Sequence, residues 1–222
     1  MRHALIVWGG WMGHQPDQTA QFFAKILRNA NFQVTIANDL EAFAHLKDFP
    51  NLKLLIPIWT MGEIAPHQLQ PVLEAVQSGV GLAGCHGGMC DSFRNCVEWH
   101  FMTGGQWVAH PGGDGVSYWV RICREKKSPI TEGIPDFEVV SEQYYMHVDP
   151  AINVLATTRF PTPNVEGPHV PNGVVEMPVV WTKFYGKGRV FYCSLGHQTD
   201  VLRKEPVKTL MARGFLWSAR AL

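Results

Sequence analysis

The feature that most constrains this chain is an alternation in its first half. Short apolar runs that end at glycine are followed by segments whose apolar residues recur at helical spacing. Ala4 to Trp8 is such a run, closing at Gly9-Gly10, and a strand reads this way when both of its faces are buried. Phe22, Phe23, Ile26 and Leu27 then recur with the period of a helix, for which Asp17 offers an N-cap. Phe32 to Ala37 predicts a second strand and Leu54 to Ile58 a third, with Pro57 expected near a strand end or a sheet edge. Pro66 to Gln77 carries Leu69, Val72, Leu73 and Val76 on one face of a helix opened by proline. Gly79 to Gly84 predicts a strand of small residues that turns tightly at Gly87-Gly88. Strand, helix, strand, helix with doubly buried strands predicts an α/β fold, a doubly wound and mostly parallel sheet with helices on both faces. Such sheets hold their chemistry beyond the carboxyl ends of the strands, which directs attention to residues 9–16, 59–64 and 84–90.

The second half is less regular and predicts extra strands. Val116 to Cys123 alternates, Val154 to Thr158 is short, and Pro178 to Lys183 pairs with Arg189 to Cys193 as a hairpin through Tyr185-Gly186-Lys187-Gly188. Val207 to Trp217 closes the chain as an amphipathic helix, and Pro161 to Pro178 reads as a loop or short lid. There are no repeats, so residues 1–222 are read as one domain.

Composition removes several classes of function. With 46% hydrophobic and 17% charged residues, the chain has too much apolar surface to remain disordered. Nineteen basic and nineteen acidic residues cancel, so no overall field draws it to nucleic acid or an anionic membrane. Runs such as Leu54 to Trp59 fall short of the roughly 18 apolar residues of a membrane span. The apolar stretch at the N-terminus runs into glycines with no cleavage pattern, and is expected to be a first strand rather than a signal peptide. Five cysteines, Cys85, Cys90, Cys96, Cys123 and Cys193, are an odd number without a C-x-x-C, which predicts reduced thiols in a cytoplasm.

Candidate chemistry begins at Ala83-Gly84-Cys85-His86-Gly87-Gly88, which has the small-x-tip-x-small pattern of a strained strand-to-helix elbow. Two registers fit, one with Cys85 at the tip and one with His86; the second has glycine on both flanks and is preferred. Imidazole at that tip can serve as general base, metal ligand or proton donor. His14, His110, His147 and His197 fall at strand ends or loops that a parallel sheet would bring to one edge. The stretch 142–150 supplies a carboxylate from Glu142, phenols from Tyr144 and Tyr145, and an imidazole from His147. It reads equally as a strand with satisfied polar side chains leading into an Asp-Pro turn. Trp11, Trp59 and Trp107 lie near polar residues and offer flat aromatic faces, though eight tryptophans also suit a plain core.

Together the segments Gly9-Gly10 to His14, Gly84 to Asp91, Gly104 to Gly113, Ser141 to Pro150, Met177 to Trp181 and Gly186 to His197 resemble the ThuA-like family, the trehalose-utilisation proteins with a class I glutamine amidotransferase-like fold. The resemblance spans nearly the whole chain in the family's order. It implies a flavodoxin-like domain and a role in sugar catabolism. True amidotransferases carry cysteine at the elbow tip; His86 stands there in the family register, which argues against glutamine hydrolysis. Cys85, one position earlier, would point into the sheet, and His197 sits where the amidotransferase histidine is expected. Family members accompany sugar oxidoreductases that make 3-keto-glycosides, so the resemblance implies a small carbohydrate substrate, a disaccharide or its 3-keto derivative, and a hydrolase or lyase step. A 3-keto group acidifies the neighbouring C–H, so a base and an electrophile that stabilises the enolate would suffice. That electrophile could be a divalent metal such as zinc, held by His86, Glu142 and His197, which could otherwise act as acid/base partners. Tyr144 would donate to a sugar oxygen, with His14, Trp107, His110 and His147 as substrate contacts. No nucleotide cofactor is expected, and a homo-oligomer is left open. Two other readings compete: a non-catalytic sugar sensor with an inherited pocket, and a glutaminase using Cys85.

Overall fold

A computed structural model describes all residues 1–222. In chain order the elements are β1 (Arg2–Gly10), α1 (Pro16–Asn29), β2 (Phe32–Ala37), α2 (Glu41–Ala44), β3 (Leu52–Thr60) and α3 (Pro66–Ser78). Then come β4 (Gly81–Cys85), α4 (Gly87–Cys90), α5 (Val97–Thr103), β5 (Gly105–Ala109), β6 (Val116–Ile122) and β7 (Phe137–Ser141). The chain closes with β8 (Tyr145–Val148), β9 (Asn153–Phe160), β10 (Val175–Tyr185), β11 (Gly188–Cys193), α6 (Thr199–Arg203) and α7 (Glu205–Ser218).

Nine strands form one sheet in the order β2-β1-β3-β4-β11-β10-β9-β6-β7, and β5 with β8 forms a separate two-stranded ribbon. Strands β2, β1, β3, β4 and β11 pair in parallel, which is the flavodoxin-like order with β11 in the fifth place. The remaining four strands add on antiparallel, and the expected hairpin is β10–β11.

The apolar runs sort their side chains to both faces, as doubly buried strands must. From β1, Ala4 and Ile6 enter one core while Leu5 and Val7 enter the other. The first core is completed by Phe23 and Leu27 of α1 and by Leu210 and Phe215 of α7. Phe23 and Phe215 meet edge to face at 4.8 Å, locking the two helices together. The second core takes Val72 and Val76 of α3 and Trp99 and Met102 of α5.

Two local expectations are corrected, and the loop reading of 161–178 holds as far as Val175, where β10 begins. Asp17 does not cap α1; Gln15 occupies the N-cap position without a side-chain cap bond, with Pro16 at the first helical position and Asp17 in the first turn, where its charge still complements the helix dipole. Pro57 is neither at an edge nor at a strand end: β3 is internal and runs on to Thr60. The ladder to β4 involves only Leu54 and Leu55, so the missing N–H falls beyond it. Residues 161–174 form a loop with one short turn at Val170–Asn172, and none of them reaches the cavity described below.

Candidate functional site

Four loops at the carboxyl ends of the parallel strands converge where β1 and β3 meet, the point at which the strand order reverses. His14 follows β1, Thr60 ends β3, His86 follows β4 and His197 follows β11. The elbow forms with His86 at its tip, at φ 49° and ψ −142°, a left-handed conformation that few side chains adopt. It is held by its N–H donating to the Cys193 carbonyl at 2.8 Å and by its own carbonyl accepting from the Tyr192 hydroxyl at 3.0 Å. Gly87 is required by a close approach: a Cβ there would stand 2.7 Å from Cε1 of His14. Cys85 lies in the first core, only 4% exposed, with burial pushing its thiol well up. A thiol so buried has little thiolate character.

Glu142 enters from the other half of the chain, one residue past β7, with its backbone carbonyl accepting from the Tyr118 hydroxyl at 2.9 Å. Its Oε2 lies 3.1 Å from His86 Nε2, 3.3 Å from His197 Nδ1 and 3.9 Å from His14 Nε2. One ligand atom from each of these four buried side chains lies within 4.8 Å of all the others. Two donors bound tetrahedrally at zinc distances stand about 3.4 Å apart, so the cluster has the dimensions to hold a metal ion.

Proton accounting supports that fit. The Ser194 carbonyl can only accept, so His86 Nδ1, 2.8 Å away, carries the hydrogen. Burial lowers the pKa of His86, opposed by its contacts with Glu142 and Ser194, and its Nε2 faces a carboxylate oxygen. With Nδ1 committed to Ser194, Nε2 is the atom that His86 offers to the Glu142 oxygen, 3.1 Å away, or to a metal between them. His197 Nδ1 is buried beside the same oxygen yet lacks the alignment of a hydrogen bond. His14 is pushed down to about 3 by burial and by its histidine neighbours, and its Nδ1 is held 2.8 Å from the Thr60 hydroxyl. Burial opposes ionisation of Glu142, but His197 and His86 outweigh it and hold the carboxyl well below its usual range. Contact with Glu142 raises His197. Three rings and a carboxylate, two of the rings oriented from behind by Ser194 and Thr60, form a donor set of the kind imidazole-binding metals use.

A cavity of about 190 Å³ opens beside the cluster, with His14 and Glu142 on its wall and Trp11, Trp107, His110 and Tyr144 around them. Tyr144 stacks on His86 with centroids 3.9 Å apart, and burial keeps its phenol protonated far above neutral pH. His110 Nε2 lies 3.8 Å from Glu142 Oε1, the oxygen turned away from the other three histidines' contacts. Among the expected substrate contacts, Trp107 and His110 line this cavity, and His14 both lines it and belongs to the donor cluster. His147 is corrected: it is exposed on β8 opposite Gln106, because Met146 takes the inward position of that strand. Trp59 is likewise absent from the cavity wall. Sequence reasoning missed Thr60 and the Ser194 carbonyl, which carry no pattern, and also Asp91 and Arg94 on the cavity wall. Asp91 lies within the family-like stretch after the elbow and could have been found there.

A flavodoxin-like α/β domain with a histidine-carboxylate centre at its switch point is the class that fold and site define. The chain belongs to the ThuA family, described as trehalose utilisation, whose model matches residues 3–218. A ThuA-like protein of Parabacteroides merdae superposes with a TM-score of 0.75 at 20% identity, over 98% of this chain and 90% of the other. One from Bacteroides uniformis gives 0.75 at 17%, over 98% and 91%. A cytoplasmic protein of Salmonella typhimurium LT2 gives 0.63 at 14%, over 98% and 99%. At these identities the likeness is one of fold. No curated protein matches the sequence. No helix is long and apolar enough to cross a membrane.

Proposed function

We propose that this chain is a metal-dependent enzyme of sugar catabolism, a hydrolase or lyase acting on a disaccharide or its 3-keto derivative supplied by a sugar oxidoreductase. The observation that carries the reading is the buried cluster of His14, His86, His197 and Glu142, whose ligand atoms all lie within 4.8 Å of one another. His14, His86, His197 and Glu142 would be the ligands, with zinc the ion their donor atoms suit best. When bound, such an ion supplies a Lewis acid for negative charge developing on a substrate oxygen. Glu142 is then a ligand rather than the base. His110, on the cavity wall and outside the donor set, takes the proton at its Nε2 and returns it to the leaving oxygen. Tyr144 keeps its proton and donates a hydrogen bond to a substrate oxygen. Trp11 and Trp107 supply aromatic faces for the ring, as carbohydrate recognition requires. Five free cysteines agree with work in a reducing cytoplasm.

The test is metal analysis and turnover on the same preparations, purified without a histidine tag, with trehalose and 3-keto-trehalose as substrates. The parent is expected to hold near-stoichiometric metal, and chelation to abolish turnover. Glu142→Gln should lose turnover by about 100-fold or more while keeping the fold. Full activity after exhaustive chelation would overturn the metal reading. Saturable sugar binding without product would instead make the protein a sensor.

A further inference from the structure

Asp91 and Arg94 line the same cavity, and nothing above uses them. Asp91 lies five residues past the elbow tip and is 4% exposed. Its backbone is tied on both sides: its N–H donates to the Gly87 carbonyl at 3.3 Å and its carbonyl accepts from the Met61 N–H at 2.8 Å. Arg94 binds it as a fork, Nε to Oδ1 at 2.6 Å and Nη2 to Oδ2 at 3.0 Å. The guanidinium also lies 4.7 Å from the centre of the Trp107 ring, and the Arg94 backbone carbonyl accepts from His100 and Gln106, each at 3.3 Å. The pair is therefore fixed in place before any ligand arrives.

Its unspent hydrogen-bonding capacity describes a ligand. A carboxylate offers about four lone-pair directions and Arg94 takes two, so Asp91 can still accept. Arg94 has Nη1 left to donate. Trp107, also on the cavity wall, has its Nε1 buried with no partner. An acceptor and a donor side by side, with their charges cancelled, complement two adjacent hydroxyls: one donates to Asp91 while its neighbour accepts from Arg94. An anion fits badly at this pair, because Asp91 would repel it and the one nearby guanidinium is already neutralised. The cavity, at about 190 Å³, is below the roughly 300–1,000 Å³ of drug-sized sites and takes one ring.

We propose that the Asp91–Arg94 pair is the specificity element of the site, selecting an uncharged pyranose ring through a vicinal diol and rejecting sugar acids and sugar phosphates. This rests on the carbohydrate reading above, and Asp91 and Arg94 are here binding residues, not catalytic ones.

The test titrates the zinc-loaded full chain with methyl α-glucoside and with the corresponding methyl glucuronoside, following binding by NMR and metal content separately. The parent should prefer the neutral glucoside by about tenfold or more. Arg94→Gln should weaken glucoside binding by about tenfold with metal content unchanged, and Arg94→Lys should recover only part of it. Asp91→Asn, which frees the guanidinium, should narrow or reverse the preference in favour of the glucuronoside. If Asp91→Asn does not fold, the two Arg94 variants decide alone. Equal parent affinity for the two glycosides, or undiminished glucoside binding in Arg94→Gln, overturns this proposal and leaves the metal reading standing. A parent that binds neither glycoside overturns it together with the carbohydrate reading, while metal content still judges the centre itself.

Discussion

Among single residues, the centre is set by how each histidine is protonated. His14 is lowered by burial to about 3 and His86 is lowered by burial too, whereas His197 is raised from 6.5 by Glu142 and holds its proton more firmly than either. A metal must displace a proton only from a ring that bears one. Zinc binding at pH 6.5 should therefore release protons chiefly from His197. Affinity should rise with pH until His197 is deprotonated in the free protein and level off above that. Calorimetric titration in two buffers of different ionisation enthalpy counts the protons directly. A release near three would mean that His14 and His86 are charged in the free protein, contrary to their burial.

Among elements, the helices are placed by contacts that outweigh their intrinsic preferences. Gly214 lies inside α7, where alanine is the better helix former by about 1 kcal/mol. Its missing side chain lets α7 sit directly on β11: a Cβ there would stand 2.3 Å from Cε1 of Phe191, a ring with no exposure at all. Gly214→Ala should consequently destabilise the fold by about 1–3 kcal/mol, the sign opposite to propensity. Urea denaturation of parent and variant measures it; a variant more stable than the parent would show that the ring can shift at little cost. The start of α1 follows the same logic. Gln15 spends its side-chain oxygen on the N–H and hydroxyl of Thr199, at 3.2 and 2.8 Å, and so ties the first helix to the residues just after His197.

Across the whole molecule, the centre joins parts of the chain that are remote in sequence. His14 and His86 come from the regular first half, Glu142 and His197 from the less regular second, and one sheet runs through both. An ion bound by all four stabilises the fold against separation of any of those segments. At 100 times its dissociation constant it contributes about 2.7 kcal/mol, or roughly 5–10 °C in Tm for a chain of this size. Scanning calorimetry should show one transition that zinc shifts upward and a chelator shifts back. Two transitions, only one of them sensitive to zinc, would mean that the halves unfold as separate units.

What the sequence determined by itself was the parallel half of the sheet and the tip of the elbow. Runs such as Ala4 to Trp8 are apolar on both alternating faces, and only a strand covered on both sides can bury them. Glycines on each side of Cys85-His86 likewise mark a turn that admits close backbone approach, and their placement favoured His86 as the residue at its point. The strand β5 and the helix α5 were not legible, because they are short and take their order from packing rather than periodicity, and β8 was legible only as one of two readings of 142–150. Nor could spacing along the chain separate His14, which joins the cluster, from His147, which faces solvent. Those two differ in tertiary position alone: one loop leaves a parallel strand at the shared carboxyl edge, and the other histidine sits on the outward phase of a ribbon. Local pattern records which backbone a segment prefers, whereas a site of four side chains depends on distances that only the closed sheet sets.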